Sequence, residues 1–262
     1  MNKYSITNCP TNKKLSALLT RPDIWQGSTS PQRNHGLPTG YPALDKALHQ
    51  GGWPVGAITE LLCDHSGIGE LQLLLPTLAQ YARQKRNLIF VSPPYIPYAP
   101  ALQDAGISPA QIVIVQTRST IEQLWAVGQL LQSGAAGAVL TWLTHGPVNH
   151  HQLRKLQLAA QESHSLAVLF RPGITAAEAS PAALRITVSP GQRGYQLHII
   201  KQRGGWAGQI VDITRPDGLI QQHIRTADLP VHQPLQNQSD NPWPLTRPLL
   251  DTPSSVVENT LH

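Results

Sequence analysis

Short, mostly apolar runs alternate with segments of helical periodicity between Ile58 and Phe170, and this order narrows the available folds more than any other feature of the chain. The runs are Ile58–Cys63, Leu88–Ser92, Ile112–Gln116, Ala138–Leu143 and Leu166–Phe170. Helices are predicted between them over Glu70–Lys85, Ala101–Ala105, Ser119–Gln132 and Asn149–Ser163. Strands that are apolar along their length are covered on both faces, as in a parallel sheet joined by crossover helices. The chain therefore reads as α/β, a mostly parallel sheet flanked by helices. Three later strands, Leu184–Val188, Tyr195–Lys201 and Gly208–Ile213, include two with polar/apolar alternation, which suits an antiparallel extension. Ahead of the first strand, Thr39 is placed to cap a short helix carrying Leu44, Ala47 and Leu48, which Gly51-Gly52 ends.

Within the predicted helices the spacing assigns faces. Leu71, Leu74, Leu75, Leu78 and Ala82 share one side of the second helix, Leu73 is surplus to it, and Pro76 calls for a bend or a later helix start. In Ser119–Gln132 the inward residues are Ile121, Leu124, Val127 and Leu131.

The periodic region, 37–213, is predicted to be one domain between two flexible segments. Residues 1–36 are polar and rich in Pro, Asn, Ser and Thr, and carry five basic residues against one acidic. Residues 214–262 return to Gln, Pro, Asn and Asp, with Trp243 between two prolines as a docking anchor. Of the 262 residues 40% are hydrophobic, enough for a sizeable core, and only 13% are charged. The domain carries twelve basic and nine acidic residues, so any nucleic-acid contact must come from clustering rather than from total charge. Two cysteines, Cys9 and Cys63, allow neither a disulfide framework nor a CxxC metal pair. No signal-type leader or apolar run of about 18 residues is present. A cytoplasmic protein with no membrane partner is the expectation.

The loop between the first strand and the second helix has the setting of a P-loop without its residues. A working loop needs glycines for close backbone approach, a lysine on the phosphates and a hydroxyl on Mg²⁺. Aligned on the strand, Cys63 replaces the first glycine, Ile68 the second, Gly69 the lysine and Glu70 the hydroxyl, with Gly67 remaining in the loop. A carboxylate at a helix start disfavours a triphosphate. The strand Ala138–Leu143 also lacks the carboxylate that would hold Mg²⁺ through water. No catalytic residue, cofactor or metal is assigned. His145, His150, His151 and His164 do not converge as zinc ligands must, and His65-Ser66 lacks a nucleophile elbow.

Arg171, Arg185, Arg193, Lys201 and Arg203 fall at strand ends or loops of the last third, where cations can meet phosphates without reading bases. Trp206, after Gly204-Gly205, is placed to stack on an unpaired base. Tyr95 and Tyr98 lie in the stiff Pro93–Pro100 loop, a preorganised surface for protein docking.

With these residues in place the chain resembles the ImuA proteins of bacterial mutagenesis cassettes, which are RecA-like and overlap the SulA division inhibitors. The resemblance rests on Leu37–Asp45, Gly51-Gly52-Trp53-Pro54, Gly67–Pro76, Pro93–Leu102, Phe170-Arg171-Pro172 and Ile200–Gly205. It spans roughly residues 37–213 and does not extend to the two ends. It implies a RecA-like fold and a non-catalytic adaptor of damage-induced translesion synthesis. The implied contacts are ImuB (a relative of Y-family polymerases), an error-prone C-family DNA polymerase, RecA and single-stranded DNA. Two other readings stay open: a SulA-like inhibitor that binds the division protein FtsZ, and an ATPase with an atypical loop.

Overall fold

A computed structural model describes residues 36–64, 69–144 and 146–214. Its first helix, α1 (Pro42–Ala47), precedes β1 (Ile58–Cys63), and α2 (Leu75–Arg83) leads to β2 (Asn87–Val91). Then come α3 (Ala99–Asp104), β3 (Ile112–Val115), α4 (Thr120–Ser133), β4 (Ala136–Trp142), α5 (His150–Glu162) and β5 (Leu166–Pro172). The chain closes its sheet with β6 (Leu184–Gly191), β7 (Gly194–Gln202) and β8 (Gln209–Thr214). The order across the eight-stranded sheet is β3-β2-β4-β5-β1-β6-β7-β8. The first six strands in that row are parallel, and β7 and β8 turn back antiparallel. Residues 1–35, 65–68, 145 and 215–262 lie outside the described residues, and with them the predicted arm and tail, Cys9, Gly67, Ile68, Trp243 and His145.

The strands form where the apolar runs predicted them, because a strand buried on both faces must be apolar throughout. Every residue of β1 and β4 is buried. One core layer, with Leu61, Leu78, Phe90, Leu140, Phe170 and Ile186, lies on the side of α1 and α2. The other, with Ile89, Leu124, Val139, Leu156 and Leu169, lies under α4 and α5. Serine and asparagine begin the two covering helices as predicted. Ser119 accepts from Glu122 N, and Asn149 and Gln152 form a reciprocal capping box. Pro76 falls in the first turn of α2, so the helix starts at Leu75 and not at Glu70. That late start explains Leu73: it belongs to a turn, is fully buried, and is not surplus to a helix face.

Ile121 departs from the expectation. It is 76% exposed, whereas Leu124, Val127 and Leu131 are buried. Spacing places all four near one stripe, and farther along the helix Gly128 lies against α5, with 3.8 Å from the position of a Cβ there to Leu156 Cδ2. The first turn of α4 projects Ile121 outward.

A clasp ahead of β1 holds the front of the domain. Leu37 and Trp53 form an isolated antiparallel bridge, with N···O distances of 2.8 and 2.7 Å. A Cβ on Gly52 would lie 2.1 Å from Leu37 O, so this approach requires glycine. Trp53 is fully buried and donates from Nε1 to Thr77 Oγ1 at 3.1 Å, which in turn donates to Pro38 O at 2.9 Å.

Candidate functional site

The carboxyl ends of parallel strands diverge around a topological switch, and ligands of open α/β sheets lie there. In this chain the ends of β1, β4 and β5 enclose a cleft of about 420 Å³ lined by Cys63, Asp64, Glu70, Tyr95, Trp142, Thr144, Phe170, Arg171 and Pro172. It occupies the place of the P-loop site predicted from sequence. Its chemistry is the reverse of what a triphosphate needs. Two carboxylates, Asp64 and Glu70, line it, and Glu70 is 5% exposed. Glu70 does not begin a helix; it stands in the turn that precedes α2, so the sequence expectation of a carboxylate at a helix start is corrected. Tyr195 on β7 pins this turn, its hydroxyl 2.7 Å from Gly69 O and 2.8 Å from Gln72 Oε1. Burial first, and then the charges of Glu70 and Asp64, push the Cys63 thiol up to about 12.

At the end of β4, where a Mg²⁺-holding carboxylate would stand, the floor is aromatic. Trp142 stacks on Phe170 with centroids 4.6 Å apart and meets Phe90 edge-on at 5.9 Å. Beside it Gln123 Nε2 donates to Thr141 Oγ1 at 2.8 Å and to Trp142 O at 3.0 Å, sealing the strand end against α4. Among the described residues no group of three or more His, Cys, Asp or Glu could hold a metal ion.

Arg171, the one cation on the cleft wall among the described residues, is committed elsewhere. It donates to Glu60 Oε1 at 3.3 Å and to Glu178 Oε2 at 2.8 Å. Glu60 is fully buried in the middle of β1 and also accepts from Arg185 Nε at 2.7 Å and Ser180 Oγ at 2.7 Å. Arg185 further donates to the carbonyls of Thr175, Ala176 and Glu178. This corrects the sequence expectation for Arg171 and Arg185. Each is 4% exposed, and Glu60 together with Glu178 balances their charge, so neither guanidinium is presented to a phosphate. Sequence reasoning missed Glu60 itself. The only available signal was a carboxylate inside an otherwise buried strand, which demands a buried cation.

The remaining predicted positions are at the surface. Tyr95 and Tyr98 are 61% and 59% exposed on the loop after β2, with Ile96 between them. A 2.7 Å contact between Ser92 and Thr117 hydroxyls ties the start of that loop to the segment entering α4. Ile121 and Trp125, both exposed and one turn apart on α4, therefore belong to the same edge of the sheet. Lys201, Arg203 and Trp206 lie at the opposite edge, because β7 runs back against the parallel strands.

The family description "Cell division inhibitor SulA" matches residues 56–167, from just before β1 into β5. Residues 56–167 are SulA-like. A cell division inhibitor SulA of Serratia marcescens is 29% identical over 117 residues, 45% of this chain and 68% of the relative. The SulA of Pectobacterium carotovorum subsp. carotovorum (strain PC1) is 29% identical over 124 residues, covering 47% and 73%. That of Photorhabdus laumondii is 31% identical over 114 residues, covering 44% and 63%. These likenesses favour the SulA side of the resemblance over its ImuA side. The SulA-like stretch contains six of the nine cleft residues and the exposed Tyr95, Ile96, Tyr98, Ile121 and Trp125. The second half of β5, with Phe170, Arg171 and Pro172, and all of β6–β8 follow it.

No helix among the described residues is long and apolar enough to cross a membrane.

Proposed function

We propose that this chain acts by protein contact rather than by turnover, as a SulA-like inhibitor of cell division that binds the cytoplasmic division protein FtsZ. The match to the division inhibitors carries this reading. Support comes from exposed apolar side chains within the matched stretch. Tyr95, Ile96 and Tyr98 stand out on the loop after β2, Ile121 and Trp125 on α4, and aromatic anchors dominate protein interfaces. Among the described residues the cleft offers carboxylates and an aromatic floor, which argues against the atypical ATPase.

The test is controlled expression in a rod-shaped bacterium with cell length scored, together with sedimentation of FtsZ polymers in the presence of the purified chain. The expected result is filamentous cells and a loss of polymer mass. Tyr95→Ala combined with Trp125→Ala should weaken the FtsZ effect about tenfold or more, as truncating anchors of this kind does. Normal division at full expression, with FtsZ polymers unchanged, would refute the reading.

A second reading is favoured by what lies around the matched stretch. The resemblance stretches Leu37–Asp45, Gly51–Pro54 and Ile200–Gly205 are built into one structure, with Gly205 packed on His49 and the Trp53 clasp holding residues 36–38. That extended architecture suits a translesion adaptor joining ImuB, a C-family polymerase and RecA. Capture of the tagged chain from cells after DNA damage separates the two readings: ImuB or the polymerase in the eluate supports the adaptor, FtsZ alone the inhibitor.

A further inference from the structure

The β7–β8 turn holds a tryptophan out in water on a fixed support. Trp206 is 85% exposed. Its backbone carbonyl nevertheless accepts from Gln202 Nε2 at 2.6 Å and from Gln209 Nε2 at 3.3 Å. Gln202 also accepts from His49 N at 2.9 Å and donates to Ala47 O at 3.3 Å, fastening the turn to the end of α1. Gly204 adopts a left-handed φ of 78°, and a Cβ on Gly205 would come within 2.7 Å of His49 Cβ. Close backbone approach thus builds the turn, and the indole is what it displays. Burial does not account for an indole placed there, since most of its surface stays in water.

Among the described residues the charge around the turn is uncompensated. Arg203 is exposed, its backbone held by a 2.7 Å bond to Ala183 O, and it forms no ion pair among the described residues. Lys201 rests its ammonium 2.5 Å from Ser180 O. Burial first, then repulsion from Arg185 and Arg203, pulls its pKa down, so these cations stand close together. The nearby carboxylates are already engaged: Glu60 with Arg171 and Arg185, Glu178 with Arg171, and Asp45 on α1 with Thr39 N. His49, in the turn after α1, is exposed beside it, and Lys46 is exposed on α1.

From this juxtaposition we infer that the β7–β8 turn is a binding site for single-stranded nucleic acid, with a base stacked on Trp206 and flanking phosphates on Arg203 and Lys201. An exposed ring interleaved with cations is the composition of a stacking platform in an electropositive groove. The centre of a protein interface, by contrast, is depleted of charge. The site lies outside the SulA-like stretch and at the opposite edge of the sheet from the apolar rim, so it is independent of the proposed division inhibition.

The test uses the full chain and a fluorescein-labelled oligothymidylate of about twenty nucleotides, followed by anisotropy over a salt series. The wild type should bind with an affinity that falls as salt rises. Trp206→Ala should lower the affinity about tenfold at every salt concentration, while Trp206→Phe stays within about threefold of wild type. Arg203→Ala should flatten the log–log salt slope by about 0.7, one single-strand phosphate contact. Circular dichroism of the surface variants should match the wild type, and the cell-length assay should be unaffected by Trp206→Ala. Absence of wild-type binding at low salt overturns the inference. So does equal affinity of Trp206→Ala, or equal competition by a duplex of the same length.

Discussion

Replacing Glu60 with glutamine tests whether the buried ion cluster under the β5–β1–β6 part of the sheet holds the domain together. In the wild type one oxygen of Glu60 accepts from Arg171 and Ser180 and the other from Arg185. A glutamine in either orientation turns an NH₂ group toward an arginine donor, and the negative charge is gone. Breaking a buried pair by removing one partner costs about 3–5 kcal/mol. Arg171 keeps Glu178, and Arg185 keeps the carbonyls of Thr175, Ala176 and Glu178, so the low end applies: about 3 kcal/mol. That is a large part of the 5–15 kcal/mol typical of a domain. For a domain of this size it corresponds to a melting point lower by about 6–12 °C. Urea unfolding followed by circular dichroism gives the difference directly. The double variant Glu60→Leu/Arg185→Met, which removes charge of both signs, should lose less than the sum of the two single changes. A Glu60→Gln protein within about 1 kcal/mol of wild type would refute the cluster's structural role.

Other outcomes follow from the same geometry. Gly52→Ala should destabilise the domain by more than about 2 kcal/mol in a thermal melt, because its methyl group meets Leu37 O across the clasp. In a Cys9→Ser background, Cys63 should resist alkylation at pH 8, since a thiol held near 12 is almost entirely protonated there. The same shift sets an alkaline limit. The thiol's raised value favours the folded state fully below its ordinary 9.0, and that contribution is lost as pH climbs from 9.0 toward about 12, where Tyr41 also titrates. Unfolding midpoints measured across this range should therefore fall. Saturating Mg·ATP should leave the melting point unchanged, whereas a site filled at a hundred times its Kd would add about 2.7 kcal/mol.

The parts of this fold that were legible from sequence are those set by neighbours along the chain. β1 was read at its observed bounds because a run of residues buried on both faces announces itself locally. Pro76 offered a bend or a later start for α2, of which the later start is found, and Ser119 and Asn149 marked the starts of α4 and α5. Apart from the helix start placed at Glu70, the misreadings concern partners distant in sequence. Glu60 meets Arg171 across 111 residues and Arg185 across 125, and nothing in the local pattern of Phe170-Arg171-Pro172 distinguishes a solvated arginine from a buried one. Ile121 has the spacing of a core residue, yet it stays exposed in the first turn of α4 while Leu124, Val127 and Leu131 are buried. In the cleft, the loss of phosphate-binding residues was legible. The aromatic stack that replaced the metal carboxylate was not, since Phe90, Trp142 and Phe170 come from three separate strands.

The reversal of direction between β6 and β7 has a consequence for simultaneous occupancy. It sends the β7–β8 turn to the amino edge, while Tyr95, Tyr98 and Trp125 remain at the carboxyl edge. The two surfaces are separated by the length of a six-residue strand, about 20 Å. Ligands at the two edges do not compete for space. If both proposals hold, a protein bound at one edge would be kept near a strand bound at the other, and their meeting would become intramolecular, at an effective concentration of order millimolar. With both proposed ligands bound, the sheet would be a spacer between them, and shortening or lengthening its strands would change their reach without altering either contact.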